Sequence, residues 1–164
     1  MANPFRRRDQ RSTTPAEPDA PAPALLDESS IVLSGRATDR DSAIDEVGAL
    51  LVAAGAVDEA YVAGMHAREG SVSTFMGNEL ALPHGGADAA GAVVRTAIAL
   101  VRHDDPLDWN GEPVRFVVGL AGKGSEHLAL IGSLARVFTD SAEVERLRRA
   151  ASAAEVLEVL AAQD

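Results

Sequence analysis

Residues Leu80-Ala81-Leu82-Pro83-His84-Gly85-Gly86 (LALPHGG) end an apolar run with a proline, a histidine and two glycines. Pro83 has a fixed φ and no N–H, and it biases Leu82 toward extended geometry, so strand pairing is expected to stop here. Gly85 and Gly86 permit positive φ and let another group approach the backbone closely. His84 is therefore expected on a short, stiff strand exit, with its ring presented and not packed between elements. Such an imidazole is available as a nucleophile.

Working outward, Ser73 to Met76 and Leu80 to Leu82 flank a turn at Gly77-Asn78 and read as strands. Val93 to Val101 and Val114 to Leu120 are rich in β-branched residues and read as central strands, joined by a polar loop containing Asp104, Asp105, Pro106, Asn110 and Gly111. Ile31 to Leu33 reads as a first strand, ended by Ser34-Gly35. A helix follows, capped by Thr38 or Asp39, with Ala43, Ile44, Val47, Leu50, Leu51 and Ala54 at helical spacing and a stop at Gly55. A second helix begins at Asp58, carries Tyr61, Val62 and Met65 on one stripe, and ends near Glu69-Gly70. Gly122-Lys123-Gly124-Ser125 opens another from about Glu126 to Phe138. Asp140 can cap the next, and Ser152-Ala153-Ala154-Glu155 is a capping box for the last. This order predicts an α/β fold with a mixed sheet covered on both faces.

The chain has 164 residues, 46% of them apolar, which suits one domain with a real core. With 15 Lys and Arg against 25 Asp and Glu, the net charge of −10 argues against a nucleic-acid backbone as partner. There is no cysteine, so disulfides, thiolate zinc sites and thiol nucleophiles are excluded. No run reaches the roughly 18 apolar residues of a membrane span, so a soluble protein is expected. Residues 1–24 hold five of the eight prolines and four arginines without apolar periodicity, and are expected to form a disordered tail before a domain at 25–164. The Phe5-Arg6-Arg7-Arg8 cluster has no apolar segment after it, unlike an export signal.

Two of the four histidines read as structural: His66 as a solvated or half-buried helix residue, and His103 as part of a solvated Arg-His-Asp-Asp-Pro loop. His127 falls in the first turn of a helix if Ser125 is its N-cap, where free N–H groups and the positive dipole end attract anions. It also shares a face with Ile131 and Leu134, so simple packing is the competing explanation. Paired with His84 it suggests phosphoryl transfer, which needs a positioned nucleophile and neutralised phosphoryl oxygens. Arg68 offers a guanidinium for bidentate contact, its bland alternative being a surface charge pair with Glu69. Gly122-Lys123-Gly124-Ser125 lacks the spacing of a nucleotide P-loop, no Gly-x-Ser-x-Gly elbow is present, and the histidines lack metal-ligand spacing.

The segment Tyr61 to Glu69, followed by Thr74 to Gly85, resembles the signature of the mannitol/fructose-type IIA components of the bacterial phosphoenolpyruvate-dependent sugar phosphotransferase system. Val117 to Ala121, Glu126-His127-Leu128, Ile131 to Leu134 and Glu155 to Leu160 resemble the mannitol-specific branch most. The resemblance covers about residues 28 to 162. It implies a three-layer α/β/α fold with a central mixed sheet, phosphorylation of His84 by the phosphocarrier HPr, and transfer to a cysteine of a permease IIB domain. It further implies His127 as the second active-site histidine, Arg68 as the arginine contacting the phosphoryl group, a cytoplasmic location, and no metal, nucleotide or other cofactor. No IIB or IIC segment is recognised, so either a free-standing IIA protein or a piece cut from one is expected.

This chain departs from the family at Phe75, Met76 and Glu79; the last adds a negative charge that would hinder phosphorylation if it pointed at His84 and would be harmless if it pointed away. Two alternatives stay open: a nitrogen-related regulatory IIA protein, and a non-catalytic anion- or partner-binding domain of the same fold.

Overall fold

Two long strands joined by a two-residue turn organise the sheet: β4 (Ala97–Trp109) and β5 (Glu112–Ala121) pair antiparallel. The computed structural model describes residues 25–161, so the expected tail at 1–24 and the last three residues of the expected domain lie outside the described residues. Around the hairpin stand β1 (Ile31–Val32), α1 (Arg40–Ala53), α2 (Ala60–Ser71), β2 (Phe75–Gly77), β3 (Leu80–Ala81), α3 (Glu126–Thr139), α4 (Ser141–Arg149) and α5 (Ala153–Ala161). The strand order is β1-β4-β5-β3-β2, with β1 parallel to β4, β3 parallel to β5 and β2 antiparallel to β3. The sheet is mixed, as expected.

Alternation along β4 and β5 builds two cores of different character. Ala97, Ala99, Val101, Val117 and Ala121 face α1 and α2, whereas Ile98, Leu100, Phe116, Val118 and Leu120 face α3, α4 and α5. Small residues on the first face bring α1 close: a Cβ on Gly119 would stand 2.9 Å from Val47. The result is the three-layer α/β/α arrangement.

Local signals fix the helix boundaries. The Asp39 side chain accepts from the Ser42 amide and the Ser42 hydroxyl accepts in turn from the Asp39 amide, a reciprocal cap that starts α1; Gly55, at φ 71°, ends it. Asp140 caps α4 through the Ala142 amide. At α5 only half of the expected capping box forms: the Ser152 hydroxyl accepts from the Glu155 amide, while the Glu155 carboxylate turns to the amide of Ala151.

The polar loop expected after Val101 is a continuation of β4. Pairing with β5 shifts register between Arg102 and Leu107, and this irregularity accommodates Asp104, Asp105 and Pro106, whose missing N–H a regular ladder would not tolerate. The turn proper is Asn110-Gly111 alone, both at positive φ. His103 is consequently a buried strand residue, 2% exposed, and not a solvated loop residue. Gly35 makes room for it, since a Cβ there would collide with its ring, and Glu46 of α1 lies 3.8 Å from its Nε2. His66 is half-buried and pairs with Asp45 at 2.7 Å, in keeping with its helical surface position.

The β2–β3 turn clamps the far layer. Asn78 and Glu79 both have positive φ; Asn78 Nδ2 donates to the Phe138 carbonyl at 2.5 Å, and Glu79 takes Arg115 and Arg148 at 3.3 and 2.8 Å. Glu79 is thereby engaged by one guanidinium from β5 and one from α4.

Two expectations follow from this packing. Asn78→Ala should lower unfolding free energy by about 1 kcal/mol in urea titration, because it strands a carbonyl at the end of α3. Burial holds His103 below its ordinary value of 6.5, against the opposing pull of Glu46 and Asp104. The unfolded chain therefore binds this proton more readily than the folded one. Stability should be complete above pH 6.5 and fall as pH drops through that value, and His103→Gln should flatten part of the slope.

Candidate active site

His84 stands where β3 leaves the sheet. The Leu120 amide of β5 donates to the Pro83 carbonyl at 3.0 Å, and His84 forms an isolated parallel bridge with Leu120, so the ladder extends just past the proline. The His84 ring turns back on its own strand: Nδ1 lies 2.7 Å from the Leu82 carbonyl. A carbonyl only accepts, so this contact places the proton on Nδ1 and leaves Nε2 with its lone pair.

The second arm comes from β5. Its end runs through Gly122 to Ser125 into α3, and His127 lies in the first turn of that helix. Gly122 is required here, because a Cβ would stand 2.6 Å from the His127 Cα. The Thr96 hydroxyl accepts from the Lys123 amide at 3.1 Å and donates to the Glu126 carboxylate, tying the start of α3 to the approach to β4. Ser125 occupies the N-cap position without a side-chain cap bond, and the Glu126 amide is taken by the Lys123 carbonyl at 3.2 Å. The His84 and His127 ring centroids are 4.9 Å apart and tilted at 59°.

Arg68 arrives from the last turn of α2. It, His84, His127, Gly85, Gly86 and Tyr61 line one cleft of about 350 Å³. Its Nη1 donates to the Val72 carbonyl at 2.5 Å. The surface pair considered for Arg68 and Glu69 does not form. Glu69 is 3% exposed and accepts from the Thr74 amide, the Thr74 hydroxyl and the Trp109 indole, the last at 2.7 Å. Adjacent residues on a helix diverge by about 100°, so one reaches the cleft while the other anchors the core.

Both imidazoles are held below their ordinary value of 6.5. For His84 burial is the main cause, opposed by the Leu82 bond and Glu69 and reinforced by His127 and Arg68. For His127 burial again leads, followed by Arg68. At neutral pH the cleft thus offers two uncharged rings beside a permanent cation. Among the described residues, no group of three or more His, Cys, Asp or Glu side chains is placed to hold a metal ion.

The expected site residues His84, His127 and Arg68 therefore share one cleft, and Glu79 points away from it. The glycines of the LALPHGG stretch behave differently from expectation: neither Gly85 nor Gly86 has positive φ. Gly85 is needed for proximity, since a Cβ would meet the Tyr61 ring at 2.6 Å and Ala89 at 2.8 Å. Helical spacing puts Tyr61 on the core stripe of α2 and gives no hint of its place at the cleft. A signal exists in the residue type: a buried phenol needs a hydrogen-bond partner.

Comparison with known proteins agrees with the fold. Residues 24–163 match the family described as "Phosphoenolpyruvate-dependent sugar phosphotransferase system, EIIA 2". The chain is 41% identical over 136 residues to the mannitol-specific phosphotransferase enzyme IIA component of Halalkalibacterium halodurans, covering 83% of this chain and 94% of that protein. The IIA chain in the complex of enzyme IIAMTL and phosphorylated enzyme IIBMTL from Escherichia coli superposes with a TM-score of 0.78 at 32% identity, covering 84% and 99% of the two chains. The nitrogen regulatory protein IIA-Ntr from Neisseria meningitidis gives 0.69 at 27% identity, covering 83% and 96%. The chain belongs to the EIIA type 2 family of the phosphoenolpyruvate-dependent sugar phosphotransferase system.

Proposed function

We propose that this protein is a cytoplasmic phosphoryl carrier of a mannitol-type permease, with His84 as the residue that carries the phosphoryl group. The observation that carries the reading is the His84 ring itself: its Nδ1 proton is engaged by the Leu82 carbonyl at 2.7 Å, so a neutral Nε2 is free at a cleft shared with His127 and Arg68.

Transfer then needs no base. The Nε2 lone pair of His84 attacks phosphorus on the phosphohistidine of HPr; the new N–P bond forms as the donor N–P bond breaks, and the bonding pair returns to the donor ring. Arg68 and His127 interact with the phosphoryl oxygens, Arg68 as a fixed cation and His127 as a hydrogen-bond donor near the positive end of α3. In the second step a cysteine thiolate of a IIB domain attacks the same phosphorus, and the electron pair of the His84 N–P bond returns to Nε2. Partial burial of the site limits hydrolysis between the steps.

Support for the mannitol branch over nitrogen regulation comes from the higher structural score and identity to the mannitol protein, 0.78 and 32% against 0.69 and 27%. The same likeness to a IIA–IIB complex supports IIB as the acceptor. A purely anion-binding role would leave the selected tautomer of His84 without a purpose.

With phosphoenolpyruvate, enzyme I and HPr, acid-labile phosphate should appear on the wild type and be absent from His84→Ala; phosphate persisting in that variant would falsify the assignment. His127→Ala should still become labelled, but its onward transfer to IIB should slow by about 10²-fold, within the range of a lost hydrogen-bond donor at a reacting centre. Because protonation of Nε2 blocks attack and the His84 pKa lies below 6.5, the uptake rate should stay level from about pH 8 to 6.5 and decline only at lower pH.

A further inference from the structure

Tyr61 is 2% exposed and contributes a hydroxyl to a place where two strands part. Its oxygen accepts from the Gly85 amide at 2.9 Å and donates to the Leu120 carbonyl at 2.5 Å. These two backbone groups have a particular relation. His84 and Leu120 are bridged in parallel, and the Leu120 amide already bonds to the Pro83 carbonyl. In a parallel ladder the next rung joins the carbonyl of the facing residue, Leu120, to the amide one position beyond His84, which is Gly85. That rung here runs through the tyrosine hydroxyl. A side chain from α2 is spliced into the sheet as a spacer.

The consequence lies on both sides of the cleft. On one side the spacer holds Gly85, directly after His84. On the other it holds Leu120, two residues before Gly122, the glycine against which His127 packs. Arg68 lies seven residues after Tyr61, two turns along the same helix and on the same side. One hydroxyl therefore joins the elements that supply all three candidate site residues. The Tyr61 ring is itself wedged against Gly85, with room for no Cβ, so the spacer has little freedom to slide. Burial raises the phenol's pKa, so the group stays a neutral donor and acceptor throughout the working pH range.

We propose that Tyr61 is a positioning residue for phosphoryl transfer: by separating the Gly85 amide from the Leu120 carbonyl it sets the spacing and tilt of the His84 and His127 rings. It touches no reacting atom. This rests on the phosphoryl-carrier reading for its purpose, but the geometry can be tested without phosphate. Removing the hydroxyl allows the Gly85 amide and Leu120 carbonyl to close into a direct rung, so the fold survives while the two exits move together. A displacement of about 1 Å at a reacting centre is enough to slow a reaction by up to about 10²-fold.

The test compares wild type with Tyr61→Phe in three measurements. Thermal unfolding should shift by only a few degrees. In the unphosphorylated protein, the ring nitrogen chemical shifts of both His84 and His127 should change, while those of His66 and His103 stay fixed. In single-turnover transfer from phospho-HPr, the rate at saturation should drop at least tenfold with the half-saturating concentration within twofold of wild type. Asn78→Ala, which loosens the opposite end of the sheet edge, should leave rate and ring shifts unaltered. Gly85→Ala pushes the same rung apart from the other side and should reproduce both the ring shifts and the slower rate; it decides the matter if Tyr61→Phe does not fold. Unchanged His84 and His127 resonances, or transfer within twofold of wild type, would overturn the proposal. Failure of the wild type to take up phosphate would instead refute the carrier reading, and the resonance comparison would then decide the positioning role by itself.

Discussion

The hydrogen bond from His84 Nδ1 to the Leu82 carbonyl is the constraint from which the rest of the cleft takes its meaning. It selects one tautomer, fixes the ring plane and assigns the free lone pair to Nε2. The bond exists because His84 is the last paired residue of this strand: Pro83 brings no N–H of its own, pairing stops after the His84–Leu120 bridge, and the carbonyl two residues back lies within reach of the ring. A histidine in the middle of β3 would have no such acceptor, since every carbonyl of a central strand is committed to its neighbours.

The sheet's two cores serve this site in different ways. On the α1 and α2 face, alanines and Gly119 let helices approach closely, and from that face α2 delivers Arg68 and Tyr61. On the other face the larger residues Phe116, Val118 and Leu120 carry α3, whose first turn presents His127. Strands β3 and β5 run parallel, and the His84–Leu120 bridge brings the chain after β3 to the carboxyl end of β5, so groups from both layers converge there. Open α/β sheets place ligands in this position for the same reason. Anchors lie farther out: Arg102 caps the end of α4 through the carbonyls of Leu147 and Ala150, and buried Glu69 ties α2 to Trp109.

Much of this is legible in the residues. Helix caps at Asp39 and Asp140, the stop at Gly55 and the strand exit at Pro83 are local, and local chemistry decides them. The meeting of His84 with His127, 43 positions apart, follows from parallel pairing of β3 with β5, which no single segment encodes; family resemblance supplies the pairing that spacing only suggests. His103 escapes a sequence reading because Asp104, Asp105 and Pro106 look like a loop, whereas a register shift lets a strand carry them. Glu69 escapes it because a charged residue beside an arginine suggests a surface pair, and only tertiary structure brings Trp109 and Thr74 to it. Tyr61 is legible as a core residue, but its hydroxyl's partners are backbone groups of remote strands.

NMR on nitrogen-15-labelled protein phosphorylated with phosphoenolpyruvate, enzyme I and HPr reads which ring nitrogen carries the phosphorus. Scalar coupling between phosphorus and Nε2 of His84, with Nδ1 still protonated, is the result this account requires. Coupling to Nδ1, or to a ring nitrogen of any other histidine, would contradict it.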